Sequence, residues 1–335
     1  MSFLASPRRL TRMGVLGMNQ RNADFIMRYN PRHLYPLVDN KLLTKRLAID
    51  HGIAVPALYA VVREQHEGKD LVGLLGDHED FVIKPAHGSG GNGILVVSGR
   101  FGNSFRKPSG DLITLEAMQH HVSNILSGMY SLGGLPDQAI IEYRVRFDPL
   151  FEHISYQGVP DIRVIVFRGV PVAAMVRLPT RASDGKANLH QGAMGIGIDL
   201  ATGTSRGGVC GGLVGAVHPD TGASTADIRL PHWERILRLA MQCADTVGLG
   251  YLGADIVMDR DLGPLMLELN ARPGLTVQVA NQRGLLLNLR QVERMPTLPT
   301  AIEERLALAQ SLPMAQPLRM AQSSREPAAA PTGRE

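Results

Sequence analysis

Asp255, Glu268 and Asn270 are the residues of this chain best suited to holding a metal ion. Glu268 and Asn270 stand two apart in the apolar run Leu265-Met266-Leu267-Glu268-Leu269, so a strand there projects both to one face. The turn Asp259-Arg260-Asp261-Leu262-Gly263-Pro264 predicts a hairpin that brings Asp255 beside them. Three oxygen ligands of this kind suit Mg²⁺, which completes its shell with water and phosphate oxygens. A carboxylate inside an apolar run is costly without a compensating cation or donor, which separates Glu268 from a solvated strand-edge acid.

A second group is His87-Gly88-Ser89-Gly90-Gly91-Asn92-Gly93, a loop bare enough for backbone N–H groups to approach phosphate oxygens. Lys84 precedes it at the end of the strand Phe81-Val82-Ile83-Lys84, where its ammonium could meet the same phosphates. Taken alone, the loop reads as a hairpin connection, because it matches neither GxxxxGK[ST] nor a GxGxxG ahead of a helix. The distant oxygen set shifts the reading toward phosphate binding.

The elements that must position these groups mix helices and strands without regular βαβ alternation, which points to α+β layers. Apolar spacing predicts a helix over Asn40–His51, stopped by Gly52, then a strand at Ile53-Ala54-Val55-Pro56. Strands are expected at 81–84, 94–97, 139–145, 162–167, 170–178, 251–258 and 265–270, and helices at 112–126 and 231–247. Residues 100–111 read as an exposed loop, and Arg206-Gly207-Gly208-Val209-Cys210-Gly211-Gly212 as turns between strands.

The length of 335 residues and an apolar fraction of 44% allow two packed domains or one two-lobed body. The charge of +4 excludes a nucleic-acid stripe. Cys210 and Cys243 lack CxxC spacing, which argues against a disulfide framework or structural zinc and favours a reducing, cytoplasmic setting. No apolar run approaches membrane-spanning length. Arg8, Arg9, Arg12, Arg21, Arg28 and Arg32 face one acid, Asp24, in the first 32 residues; a partly helical extension packed on the body is the favoured reading over a transit peptide or a membrane-docking helix.

These residues resemble the ATP-grasp superfamily, specifically its alpha-L-glutamate ligase (RimK-type) branch, in order from about residue 39 to 285. Asp39-Asn40-Lys41-Leu42 with Gly52-Ile53 and Pro56 looks like the opening helix, whose lysine, here Lys41, reaches the nucleotide. Val82-Ile83-Lys84-Pro85 with Gly88, Ser89, Gly90, Gly91 and Gly93 is similar to the second lysine strand and its glycine-rich lid, with His87 beside them. Ile140-Ile141-Glu142-Tyr143 resembles the adenine-holding hinge. Asp161-Ile162-Arg163-Val164 matches a motif whose aspartate borders the nucleotide and whose arginine faces substrate. Asn188-Leu189-His190 resembles a segment close to the phosphates, with Lys186 upstream in place of an arginine. Gly253-Ala254-Asp255 and Leu267-Glu268-Leu269-Asn270 resemble the two metal-binding strands.

The resemblance implies two α+β lobes clasping ATP, with Mg²⁺ (or Mn²⁺) bridging its phosphates, and an ADP-forming ligase that joins an amine to a carboxylate through an acyl phosphate. Arg177 and Lys84 then stabilise the transferring phosphoryl group, while Arg163 holds a carboxylate. The implied organisation is a basic extension over 1–38, an N-terminal lobe with the lid over 39–138, a C-terminal lobe with the metal site over 139–312 and a disordered tail over 313–335. Only about 40 residues precede Lys41, fewer than the branch usually carries, so a protein partner could supply acceptor-binding surface; an oligomer is compatible. Gln191 and Ala193 replace an arginine and a glycine of the pattern, which leaves glutamate as the amine open. Two other readings stay open: a ligase acting on a cell-surface or sugar-linked precursor, and a nonenzymatic ATP-binding subunit.

Overall fold

Asn40 starts the element that first matters to the site. Its side-chain oxygen accepts from the N–H groups of Leu42 and Leu43 at 2.9 and 3.1 Å, capping the helix Lys41–Asp50. Gly52, at φ +67°, ends it. The structure is a computed structural model that describes residues 7–312, apart from 89, 103 and 132. The 313–335 tail and Ser89 lie outside the described residues.

Beyond that helix come β1 (Leu58–Val62), β2 (Phe81–Pro85) and β3 (Leu95–Val97), a small sheet of β4 (Gly99–Phe101), β5 (Ser104–Arg106) and β6 (Leu112–Thr114), and then β7 (Ala139–Glu142). The first lobe's sheet has the order β1-β7-β2-β3, with all described pairings antiparallel. Met118, Val122 and Ile125 of the amphipathic helix Leu115–Leu126 pack against it, together with Phe81, Ile83 and Ile141.

The second sheet comprises β8 (Asp161–Phe167), β9 (Val170–Leu178), β10 (Met194–Ile198), β11 (Thr204–Cys210), β12 (Leu213–Gly215), β13 (Ala226–Arg229), β14 (Tyr251–Asp259) and β15 (Gly263–Asn270). Its order is β12-β11-β10-β9-β8-β14-β15, with β13 on β11. The helix Trp233–Val247 presents Ile236, Leu237, Ala240 and Ala244 to one core cluster shared with the sheet. Thr276–Ala280, Leu286–Arg294 and Ile302–Ser311 contribute to a second cluster with β8 and β9, and the N-terminal segment joins it through Leu16, Phe25 and Ile26.

Four expectations change. Ile53–Pro56 is no strand: Pro56 has no N–H for a ladder, and the Ala54 carbonyl instead accepts from Met266 N–H at 2.8 Å, pinning the segment to β15. Residues 100–111, polar enough to read as loop, contribute to the three-stranded sheet. Residues 206–210 belong to β11, because Gly207 and Gly208 do not prevent pairing with β10. Finally, β7 is hydrogen-bonded between β1 and β2, so the first sheet extends through Glu142 and not only to 138. An apolar run such as Ala139-Ile140-Ile141 fits either sheet equally well, and pairing alone decides.

Asn30 locks the N-terminal segment to the second sheet. Its Nδ2 donates to the Tyr251 and Ala271 carbonyls at 2.8 and 3.0 Å, and its Oδ1 accepts the Tyr251 N–H at 2.8 Å, all buried. Asn30→Ala strands these groups, and urea titration should show a stability loss of about 2 kcal/mol or more.

Candidate active site

Glu142, at the end of β7, is buried, with its carboxylate between two ammonium groups. Lys84 of β2 approaches Oε1 at 2.5 Å, and Lys45 of the helix Lys41–Asp50 lies 2.8 Å from Oε2. Lys45 also donates to the Pro56 carbonyl at 2.5 Å. Burial depresses the Lys45 ammonium below its ordinary range, with Lys84 adding to the effect and Glu142 opposing it. Burial pushes the Glu142 carboxyl up, but the two lysines outweigh it and hold it low.

Lys41, one helical turn before Lys45, bonds the Gly88 carbonyl at 2.6 Å and sits 3.8 Å from Glu268 Oε2. It therefore links the glycine-rich loop of the first lobe to the oxygen-bearing strand of the second. A Cβ on Gly88 would stand 2.3 Å from Pro85 Cγ, so only glycine fits there. Gly90 and Gly91, both at positive φ, face Gln191 and Lys186 across the cleft, with a Cβ on Gly91 only 3.6 Å from Lys186 Cδ. Gly93 takes φ +75° against the Tyr130 ring. His87 is held from behind: its Nδ1 lies 2.8 Å from Asp137 Oδ1, and its N–H also bonds that carboxylate.

Opposite, β8, β9, β14 and β15 present a charged array. Arg163 grips Asp255 bidentately at 2.7 and 2.6 Å. Arg177 grips Asp161 bidentately and reaches Asp255 Oδ2 at 2.8 Å. Burial works against the Arg177 charge, but Asp161 and Asp255 raise its pKa above that of a free guanidinium. Burial also pushes the Asp161 carboxyl up to about 6 despite Arg177, with Asp255 adding to the rise. At Asp255 burial is outweighed by Arg163 and Arg177, which draw it down to about 2. Asp255 and Glu268 are cross-strand partners, and Asn270 Nδ2 lies 3.3 Å from Asp255 Oδ2, so the three side chains meet on one face. Among the described residues no three His, Cys, Asp or Glu cluster as metal ligands; this set is two carboxylates and an amide, chemically fit for a hard cation.

The remaining predicted residues take plainer positions. Asn188 caps a short turn, its Oδ1 accepting from the His190 N–H at 3.0 Å, and His190 is exposed. At the expected adenine hinge the Tyr143 N–H donates to the Ala57 carbonyl at 2.8 Å, and its hydroxyl bonds Asp259 at 3.0 Å; burial, then Asp259, pushes this phenol up to about 12. The Glu142 side chain, at the same hinge, is turned to the lysines. Lys45 and Asp137 escaped the sequence reading. The i, i+4 spacing of Lys45 from Lys41 was a signal for the first; no local pattern marks Asp137.

The family described as sugar-transfer associated ATP-grasp matches residues 20–294, most of the chain. The chain belongs to this family. The expected ATP-grasp fold is thereby borne out. A curated relative from Parasynechococcus marenigrum (strain WH8102), named a probable alpha-L-glutamate ligase, is 23% identical over 257 residues, and the branch expected from the sequence agrees with that name. The match covers 76% of this chain and only 41% of that relative. Similar solved structures include the D-cycloserine synthetase DcsG, 16% identical with a TM-score of 0.46, covering 78% of this chain and 72% of that one. Another is the D-alanine–D-alanine ligase from Bacillus anthracis complexed with ATP, 14% identical with a TM-score of 0.45, covering 84% and 70% respectively.

Two outcomes are expected of this ATP-grasp cleft. Glu142→Ala leaves two buried ammonium groups unbalanced and should cost about 3–5 kcal/mol in urea unfolding. Because the folded Asp161 carboxyl binds its proton more tightly than its ordinary 3.8, wild-type stability relative to Asp161→Asn should fall as pH rises from 3.8 to about 6, then level off. Paired denaturation curves across that range check the sign.

Proposed function

We propose that this protein is an ADP-forming ligase that joins an amine to a carboxylate, with ATP bound in the cleft between the two sheets. The observation that carries this reading is Lys41, which touches both Gly88 and Glu268 and so joins the lobe bearing Lys45 and Lys84 to the one bearing Arg163, Arg177 and the Asp255–Glu268–Asn270 oxygens. Phosphoryl transfer needs mainly positioning and charge stabilisation, which such an array supplies. No candidate nucleophile of the enzyme is required.

In this reading Lys84 and Lys45 neutralise phosphate oxygens, and the loop from Gly88 to Gly93, including Ser89, covers them, with Lys186 and Asn188 closing from the other lobe. Asp255, Glu268 and Asn270 would hold Mg²⁺, which lowers the charge of the phosphates; Mn²⁺ suits the same oxygens. A substrate carboxylate oxygen bonds to the γ-phosphorus while the bond from that phosphorus to the β–γ bridging oxygen breaks, releasing ADP. The amine nitrogen then bonds to the acyl carbon, the carbon–oxygen bond to phosphate breaks, and the amine loses a proton. Arg177 stabilises the transferring phosphoryl group, and Arg163 orients a carboxylate.

The family description favours an acceptor linked to sugar transfer, whereas the relative's name favours glutamate as the amine; the carboxylate acceptor is then an amino acid, peptide, protein or sugar-linked precursor. A protein partner would complete the acceptor surface. No helix among the described residues is long and apolar enough to cross a membrane, and the cysteine usage supports a cytoplasmic setting in this reading.

The test is incubation with Mg²⁺-ATP and pooled amino acids, peptides and sugar-linked acids, reading ADP, phosphate and product mass. A condensation product formed with ADP, absent for Glu268→Ala, is expected. ATP binding without turnover on any pool would instead favour the nonenzymatic subunit. Once a substrate is known, Arg177→Lys should lower kcat by about 10²–10³-fold, read from initial rates at saturating ATP.

A further inference from the structure

A cavity of about 250 Å³ lies apart from the cleft, against the helices that cover the second sheet. Val172 and Ala173 at the start of β9 form part of its wall, while Arg177 stands at the other end of that strand, about 13 Å away by strand rise. The helix Thr276–Ala280 is set so closely on β10 that a Cβ on Gly195, the residue paired with Arg177, would stand 3.2 Å from Ala280 Cβ. The cavity is therefore no extension of the nucleotide cleft.

Its chemistry is that of an anion site with an apolar wall. Val172, Ile198, Val277 and Leu285 supply the apolar side, whereas Arg206, Arg283 and Asn288 supply polar groups. Two guanidiniums thus share the lining with one carboxylate, Asp199, which already pairs with Arg206 and accepts the Ala201 and Thr202 N–H groups at 2.7 and 3.0 Å. Arg283 has no carboxylate partner among the described residues. Asn288 donates from Nδ2 to the Val172 carbonyl at 2.9 Å, but its Oδ1 is buried without a hydrogen-bond partner. Arg283, half-buried on the lining, is thus a cation without a carboxylate counter-charge among the described residues, set against an apolar wall.

We propose that this cavity is a second binding site, taking a small organic anion whose carboxylate or phosphate meets Arg283 and whose apolar part lies against Val172, Ile198, Val277 and Leu285. Burial depresses the Arg283 guanidinium, as expected of a cation that gains from an incoming anion, while Arg206 is already neutralised by Asp199. The cavity volume suits a molecule smaller than a nucleotide.

The test is calorimetric titration of the full chain with inorganic phosphate, glycerol 3-phosphate and succinate, used as separate probes. Wild type, Lys84→Met, Arg283→Gln and Ala201→Phe are compared, the last placing a ring at the exposed Ala201 on the cavity lining. At least one probe should bind wild type and Lys84→Met alike, and bind about tenfold or more weakly to both cavity variants, whose circular dichroism stays unchanged. Phosphate and succinate together separate a phosphate site from a carboxylate site. Binding of none of the probes to wild type, or loss in Lys84→Met with retention in a folded cavity variant, overturns the proposal. The outcome is independent of ligase turnover.

Discussion

The fold of the cleft depends on one buried carboxylate. Glu142 can remain ionised away from water only because Lys84 and Lys45 flank it, and those lysines come from different elements. Their convergence sets β7 beside β2 and draws the helix Lys41–Asp50 onto a face of the first sheet, where Leu42 packs with Ala86 and Ile140. Asp255 plays the matching part in the second sheet, where Arg163 of β8 and Arg177 of β9 meet across three neighbouring strands. Each lobe thus carries cations held in place by a carboxylate, and Lys41 joins the lobes by touching both Gly88 and Glu268.

This arrangement explains how a cleft rich in positive charge is stable before a polyanion enters it. Each buried cation has a counter-charge, so none is left desolvated alone, and the carboxylates fix the geometry that phosphoryl transfer would use. Electrostatic stabilisation of that kind works through prior orientation, and side chains gripped bidentately, as Arg163 and Arg177 are, have little freedom left to lose. Asp137 serves the loop in the same manner, fixing His87 from a buried position beneath the glycines.

Much of this was legible in the sequence, for identifiable reasons. Strand periodicity put Glu268 and Asn270 on one face, and the hairpin turn brought Asp255 to them, because a two-residue repeat and a tight turn are local rules. Glycine composition marked the loop, since a position such as Gly88 has no room for a side chain. What escaped was long-range. Lys45 lies in a helix whose neighbours are chosen by tertiary packing, and nothing near Asp137 foretells His87, 50 residues away. The sheet to which β7 belongs was likewise decided by pairing partners distant in the chain, whereas the strands within residues 100–111 pair with near neighbours and were masked by their polar composition.

The most direct test is calorimetric titration of Mg²⁺-ATP into wild type, Lys84→Met and Lys45→Met. If the Glu142-anchored lysines hold the phosphates, each variant binds ATP about tenfold or more weakly while retaining its fold by circular dichroism. Unchanged affinity in both folded variants would place the nucleotide elsewhere and contradict the account.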